Sequence, residues 1–136
     1  MELVFEIQAS DFDEEAKESD IPVVIEFWKR TCGYCKKFRP IYEQLPKVFG
    51  DKVKFLKMDM LKDLDNLRLA ESFGVEETPT LKIYCNGQEI GEIIGYMSLI
   101  EVVSEIEEIL KRDDLCHPHK WRVSQDSLRD TVKSLI

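Results

Sequence analysis

Apolar residues along the chain follow two alternating periods. Leu3, Phe5 and Ile7 fall on every second position, which predicts a strand over residues 1–8. Ser10 can cap a short helix carrying Phe12 and Ala16, and Asp20-Ile21-Pro22 ends it. Residues 21–28 are apolar on both faces except at Glu26, the pattern of a central strand covered on both sides. A helical pattern runs from about Cys32 to Phe49, with a bend predicted at Pro40 and a second break at Pro46. Residues 52–60 read as a strand with Val53 and Phe55 on one face and Leu56 and Met58 on the other. Asp63 or Asp65 can cap a helix that turns Leu67, Ala70 and Phe73 inward and stops at Gly74. Two strands, 80–85 and 89–94, flank the hairpin signal Asn86-Gly87. Ser98 caps a helix whose predicted inner face is Ile100, Val103, Ile106, Ile109 and Leu110. The expected architecture is α/β, a central mixed sheet of about five strands with helices on both faces.

Composition narrows this picture. A chain of 136 residues argues for one domain. Its 19 basic and 27 acidic side chains give a formal charge of −8, poorly suited to nucleic acid or an anionic membrane surface. No apolar stretch reaches membrane-spanning length. Glu2 and Glu6 stand where a secretory signal carries basic residues, so a cytoplasmic monomer is expected.

The chemistry concentrates at Cys32-Gly33-Tyr34-Cys35, between the central strand and the helix that follows. A thiol at the first turn of a helix meets unpaired backbone N–H groups and the positive end of the macrodipole. Both favour the thiolate, which is the nucleophile of thiol–disulfide exchange. A cysteine one turn further on can attack a mixed disulfide formed by the first. The competing reading is half of a zinc site, which needs further ligands. The remaining candidates, Cys85, Cys116, His117 and His119, lie far along the chain. In a cytoplasmic chain such a pair is catalytic or metal-binding rather than a structural staple.

The stretch resembles the thioredoxin family, and the resemblance extends over about residues 1–112. It is carried by the apolar strand with an acid six positions before Cys32, by Pro40 in the following helix, and by Lys57-Met58-Asp59. Thr78-Pro79-Thr80, Asn86-Gly87 and Gly95 complete it in the right order. The resemblance implies the thioredoxin fold and a protein disulfide oxidoreductase with Cys32 attacking and Cys35 resolving. It implies no cofactor beyond the cysteine pair, no metal, disulfide-bearing protein or small-molecule substrates, and a reductase that recharges the pair. It also implies a cis Thr78–Pro79 bond whose backbone faces the sulfurs, where the sequence alone favours trans. Glu26 would be a buried proton acceptor for Cys35 with Lys57 as its partner; otherwise it is a surface ion at a strand end. Trp28, Met60, Gly95 and Tyr96 would rim a shallow docking surface, with core packing the alternative for Trp28 and Met60. Gly33 leaves room for a substrate backbone beside the sulfur. Tyr34 departs from the family's proline and resembles glutaredoxins at this place; Thr31 departs from its tryptophan. The rival from another class is a redox-inactive binding module on the same fold, which has no need of the cysteine pair, Glu26, Lys57 or Pro79.

Residues 113–136 lie outside the resemblance and read as a C-terminal helical extension. Ser124 can cap a last helix whose stripe of Leu128, Val132 and Leu135 would dock on the same domain. The expected topology carries Cys85 to the end of the sheet opposite the site and returns Cys116 to the same neighbourhood. A reducing compartment argues against a bridge between them, so free thiols are expected, with a bridge as the alternative. Cys116, His117 and His119 with Pro118 between make a poor metal cage. Tyr34 in place of proline predicts a Cys32–Cys35 couple between roughly −270 mV and roughly −200 mV, the thioredoxin and glutaredoxin values. Equilibration against glutathione would read this potential, and a more reducing value would overturn the reading of the loop.

Overall fold

The computed structural model describes residues 3–113, Cys116 and 125–134. Five strands form one sheet in the order β1-β3-β2-β4-β5. They are β1 (Val4–Glu6), β2 (Val23–Trp28), β3 (Lys54–Asp59), β4 (Thr80–Cys85) and β5 (Gln88–Ile94). β1, β3 and β2 run parallel, and β4 and β5 are antiparallel additions. The helices are α1 (Gly33–Phe49), α2 (Leu64–Ser72), α3 (Leu99–Arg112) and α4 (Gln125–Ser134). This is the thioredoxin fold, with a small C-terminal helix added.

β2 organises the sheet because it has a strand on either side and a helical layer on each face. Val24 faces the α1 and α3 layer, with Phe55, Leu81 and Ile83. Val23, Ile25 and Phe27 face the opposite layer, with Leu56, Met58 and the Phe12 ring. Val53 and Phe55 divide from Leu56 and Met58 as their spacing predicts.

Four local expectations are corrected. Pro46 does not break α1, which runs on to Phe49 and ends where Gly50, at φ +67°, donates its N–H to the Pro46 carbonyl. Ile100 is exposed; the inner face of α3 is instead Leu99, Val102, Val103, Ile106, Ile109 and Leu110. The first strand is shorter than predicted. Val4 is buried on the α1 side, while Leu3 and Phe5 stay half exposed at the sheet edge. The segment after it is a 3-10 turn (Ala9–Asp11) and a π-type turn (Asp13–Lys17), entered by a bond from the Gln8 N–H to the Asp11 carboxylate rather than through Ser10. The caps at Asp63 and Ser98 form, on the N–H groups of Asn66 and Glu101.

The far cysteines correct a fifth. Cys85 and Cys116 are joined by a disulfide, with Cα atoms 6.0 Å apart. The spacing lies within the range a bridge requires. Their sulfurs are therefore not the free ligands a metal cage would need, and His117 and His119 lie outside the described residues. α4 packs on α1, with Leu128 and Val132 against the core and Thr131 buried. Leu135 and Ser124 also lie outside the described residues.

One side chain with no signature in the sequence ties three segments together. Asn66 is fully buried on α2. Its amide oxygen accepts from Ala9 N–H at 2.7 Å, and its nitrogen donates to Gln8 Oε1 at 2.7 Å and to the Asp59 carbonyl at 3.1 Å. Asn66→Ala strands these groups, each costing about 1–3 kcal/mol if left unpaired. Urea unfolding of this variant should show a loss of roughly 2–4 kcal/mol.

Candidate active site

The end of β2 delivers Cys32 to the N-cap position of α1. Its Sγ accepts a hydrogen bond from the Cys35 N–H at 3.1 Å and lies 3.4 Å from the Thr78 carbonyl, to which the thiol form donates. The helix thus supplies a donor that persists when the proton leaves. Partial burial raises the Cys32 pKa, but hydrogen bonds from the Cys35 thiol and from the Cys35 and Tyr34 backbone outweigh it and bring it below the ordinary thiol value. Cys35 is buried one turn on; burial, with the Cys32 sulfur beside it, pushes its thiol up to about 11. The two cysteines are therefore unlike: one partly exposed and readily ionised, the other covered and protonated.

The loop before Cys32 is clamped from below. Asp59, buried at the end of β3, accepts from Arg30 Nε and Nη2 at 3.0 and 2.8 Å and from the Leu61 N–H at 2.9 Å. Met60 N–H donates to the Trp28 carbonyl at 2.8 Å. Asp59 was visible in the sequence only as the end of the Lys-x-Asp strand, and its clamp on Arg30 is a contact that no spacing announces.

Glu26 lies behind the cysteines on the α1 face of β2 and is 4 % exposed, so the surface-ion alternative does not hold. Burial pushes its carboxyl up to about 8, against the partly offsetting attraction of Lys57. Glu26 and Lys57 are register partners across β2 and β3. Both line a cleft of about 310 Å³ with Cys35, Trp28, Arg30, Lys36 and Arg39. The buried Tyr42 hydroxyl, a residue that sequence reasoning missed, sits 3.1 Å from the Val24 carbonyl and 2.5 Å from that of Leu56, beside this glutamate. Its only signal in the sequence is a polar tip on the inner stripe of α1.

The rest of the predicted rim divides. The Thr78–Pro79 bond is cis, and the Pro79 carbonyl accepts from the Gly95 N–H at 2.8 Å, with Gly95 at φ +92°. Thr78, Pro79 and Gly95 thus stand together beside Cys32. Tyr34 is 64 % exposed, and a side chain at Gly33 would meet open space. Tyr96 packs edge-on to Phe38 beneath the Lys37 ammonium. Trp28 is half-buried, with Lys57 Nζ 5.8 Å from its ring centroid. Met60 is corrected: it is 2 % exposed and belongs to the core on the α2 side.

The thioredoxin family model matches residues 3–108. Thioredoxin of Haemophilus influenzae is 33 % identical over 108 residues, which span 79 % of this chain and 98 % of that protein. Thioredoxin of Rickettsia prowazekii is 36 % identical over 93 residues, 68 % of this chain and 86 % of that one. Thioredoxin 1 of a Nostoc species is 26 % identical over 110 residues, 81 % of this chain and all of that one. A match over most of the chain, together with a cysteine pair made unlike by its surroundings, leads to one conclusion: the chain belongs to the thioredoxin family and is a thiol–disulfide oxidoreductase.

Proposed function

We propose that Cys32 is the attacking thiolate and Cys35 the resolving thiol, acting on the disulfides of protein substrates. The placement of the two sulfurs carries this reading: Cys32 Sγ is part-exposed at the N-cap of α1 and accepts from the Cys35 N–H at 3.1 Å, while Cys35 is buried one turn on. Cys32 attacks one sulfur of the substrate disulfide, the substrate S–S bond breaks, and the departing substrate thiolate takes up a proton. Glu26, in the fraction that has already given its own proton to solvent, takes the proton of Cys35, which attacks Cys32 and releases the second substrate thiolate. Two electrons pass to the substrate and the Cys32–Cys35 disulfide forms. Glu26 shares a cleft with Cys35, and burial that raises its carboxyl to about 8 makes its ionised form a stronger base than an ordinary carboxylate, acting directly or through a water. Lys57 would hold the charge on Glu26 once the proton has moved on.

The substrate backbone would lie along Thr78 and Pro79, over Gly33 and Gly95, with Trp28, Tyr34 and Tyr96 as its apolar border. Family members reduce protein disulfides and are recharged by a thioredoxin reductase; we assign the same class of partners here, with no cofactor beyond the cysteine pair. Every group in this scheme comes from one chain, which supports a monomer. We read residues 1–112 as the exchange domain and 113–136 as an extension docked on it. A cytoplasmic setting suits a working dithiol pair, and the Cys85–Cys116 bridge is the feature that argues for an oxidising one. A binding module without exchange would have no use for the unequal cysteines or the buried acid behind them.

Iodoacetamide should modify Cys32 well before Cys35, with a pH midpoint below about 8.5. Preferential labelling of Cys35 would sink the assignment. Cys35→Ser should trap mixed disulfides with substrates, whereas Cys32→Ser should abolish exchange.

Glu26 also links stability to pH. The folded protein holds the proton to about pH 8, and the unfolded chain releases it near 4.5. Between these values the folded state binds more protons, so this contribution to stability falls as pH rises through the window. The change is about 1.4 kcal/mol per unit and roughly 5 kcal/mol in all. Glu26→Gln should therefore gain several kcal/mol relative to wild type at pH 8 but not at pH 4, by urea unfolding. The same variant should slow the Cys35 step about 10²-fold in single-turnover exchange. A stability difference that is the same at both pH values would show that the glutamate is not held protonated.

A further inference from the structure

Charge is unevenly spread along the chain. Residues 29–39, which hold both active cysteines, carry five of its 19 basic side chains and no acid; the other 14 stand among all 27 acids. The five are Lys29, Arg30, Lys36, Lys37 and Arg39. Two of them have structural duties, Arg30 bonded to Asp59 and Arg39 to Glu43. Lys36 and Lys37 do not: both are exposed, and neither ammonium has an ion-pair partner among the described residues. They follow directly on Cys35, near the positive end of the α1 macrodipole, where a cation is disfavoured and where no acid in the first turn offsets it. Their directions differ by about 100°, as for any neighbours on a helix. Lys36 lines the cleft shared by Cys35, Glu26 and Lys57. Lys37 lies 4.6 Å from the Tyr96 ring centroid, on the border assigned above to substrate. The two lysines thus stand on two sides of the cysteine pair. The segment leading into Thr78, which meets Cys32 from outside the helix, carries the exposed acids Glu76 and Glu77.

We propose that Lys36 and Lys37 select the substrate: a protein disulfide in an acidic segment, whose carboxylates lie along the α1 side of the exchanging sulfur. The proposal rests on the exchange reading above and names the class of disulfide that the reaction takes. An anionic segment is attracted to the local excess of positive charge and repelled by the rest of a chain of net charge −8, so it is guided onto the site. Carboxylates on two sides of the exchanging sulfur belong to a continuous chain with acids before and after its cysteine. That fits an extended peptide segment laid along Thr78 and Pro79. Glu76 and Glu77 repel acids on their own side and so fix the direction of approach. A segment rich in lysine meets the reverse pattern, attracted at Glu76 and Glu77 and repelled at α1, and is held away from Cys32. The exchange itself is as written above: the substrate takes up two electrons and the Cys32–Cys35 disulfide forms. Exposed charges are screened by salt, so the selectivity is one of rate at low ionic strength.

Three synthetic peptides test this, each with one cysteine in a disulfide to 2-mercaptoethanol and with Glu, Gln or Lys at the positions flanking that cysteine. Rates with the reduced full chain are divided by each peptide's rate with dithiothreitol, which removes the intrinsic reactivity of the disulfide. At about 20 mM salt the glutamate peptide should be exchanged about tenfold faster than the lysine peptide, with the glutamine peptide between them. At about 0.5 M salt the ratio should fall to about twofold or less. Lys36→Glu with Lys37→Glu should reverse the order at low salt, and Lys36→Gln with Lys37→Gln should flatten it. If a variant does not fold, the salt series on the unaltered chain still decides. Equal normalised rates for the three peptides, or a glutamate preference that salt does not weaken, would overturn the selection while leaving the exchange reading in place. So would an unchanged preference in the folded double variants. No exchange with any of the peptides would overturn the exchange reading, and the selection with it.

Discussion

β2 is confined on four sides, with β3 and β4 bonded to its edges and a helical layer against each face. From Val23 to Phe27, everything placed on it is removed from water. Its apolar residues become the middle of two cores, and its single acid becomes a buried group whose charge is disfavoured. Because the strand cannot shift, its far end is fixed, and the turn to Cys32 begins from a rigid point. The reactivity of the pair follows from that placement. A sulfur at the first turn of α1 finds an N–H donor, and a sulfur one turn later is covered, with burial the larger influence on it.

The surroundings of the pair are built from backbone as much as from side chains. The Thr78 carbonyl, the Cys35 N–H and the Gly95 N–H are all main-chain groups held by chain direction. Side chains act mainly as props. Asp59 and Arg30 steady the loop, and Asn66 ties α2 to the end of β3. This division explains why the loop tolerates Thr31 and Tyr34, which differ from the family's usual residues. Both side chains are exposed, and what Tyr34 gives the Cys32 sulfur comes from its backbone, not its ring.

Much of this was legible in the order of residues. Period-two runs, the Asn86-Gly87 turn, the caps at Asp63 and Ser98 and the break at Gly74 each express a local rule, and local rules survive folding. The errors arose where tertiary packing decides. Ile100 fits a helical stripe by spacing, yet α3 rotates its buried face onto Leu99 and Val102, leaving Ile100 in solvent. Pro46 breaks an isolated helix, but here it is buried within the packed final turns of α1. Met60 and Trp28 looked alike as rim residues, and only the coverage by α2 separates them. Asn66 and Tyr42 were invisible because their importance lies in partners more than ten positions away or on other strands. The bridge at Cys85 depended on two elements returning to the same end of the sheet, a distance no spacing encodes.

The buried glutamate has an electrochemical consequence. Reducing the Cys32–Cys35 disulfide takes up two electrons and as many as two protons, so the midpoint potential drifts with pH by up to about 59 mV per unit. That slope flattens once Cys32 stays ionised. It bends again wherever a neighbouring acid holds its proton more tightly in one redox state than in the other. Glu26, with its carboxyl at about 8 and in the same cleft as Cys35, is placed to impose such a bend close to physiological pH. The reducing power of the pair is then set partly by a side chain that never exchanges an electron.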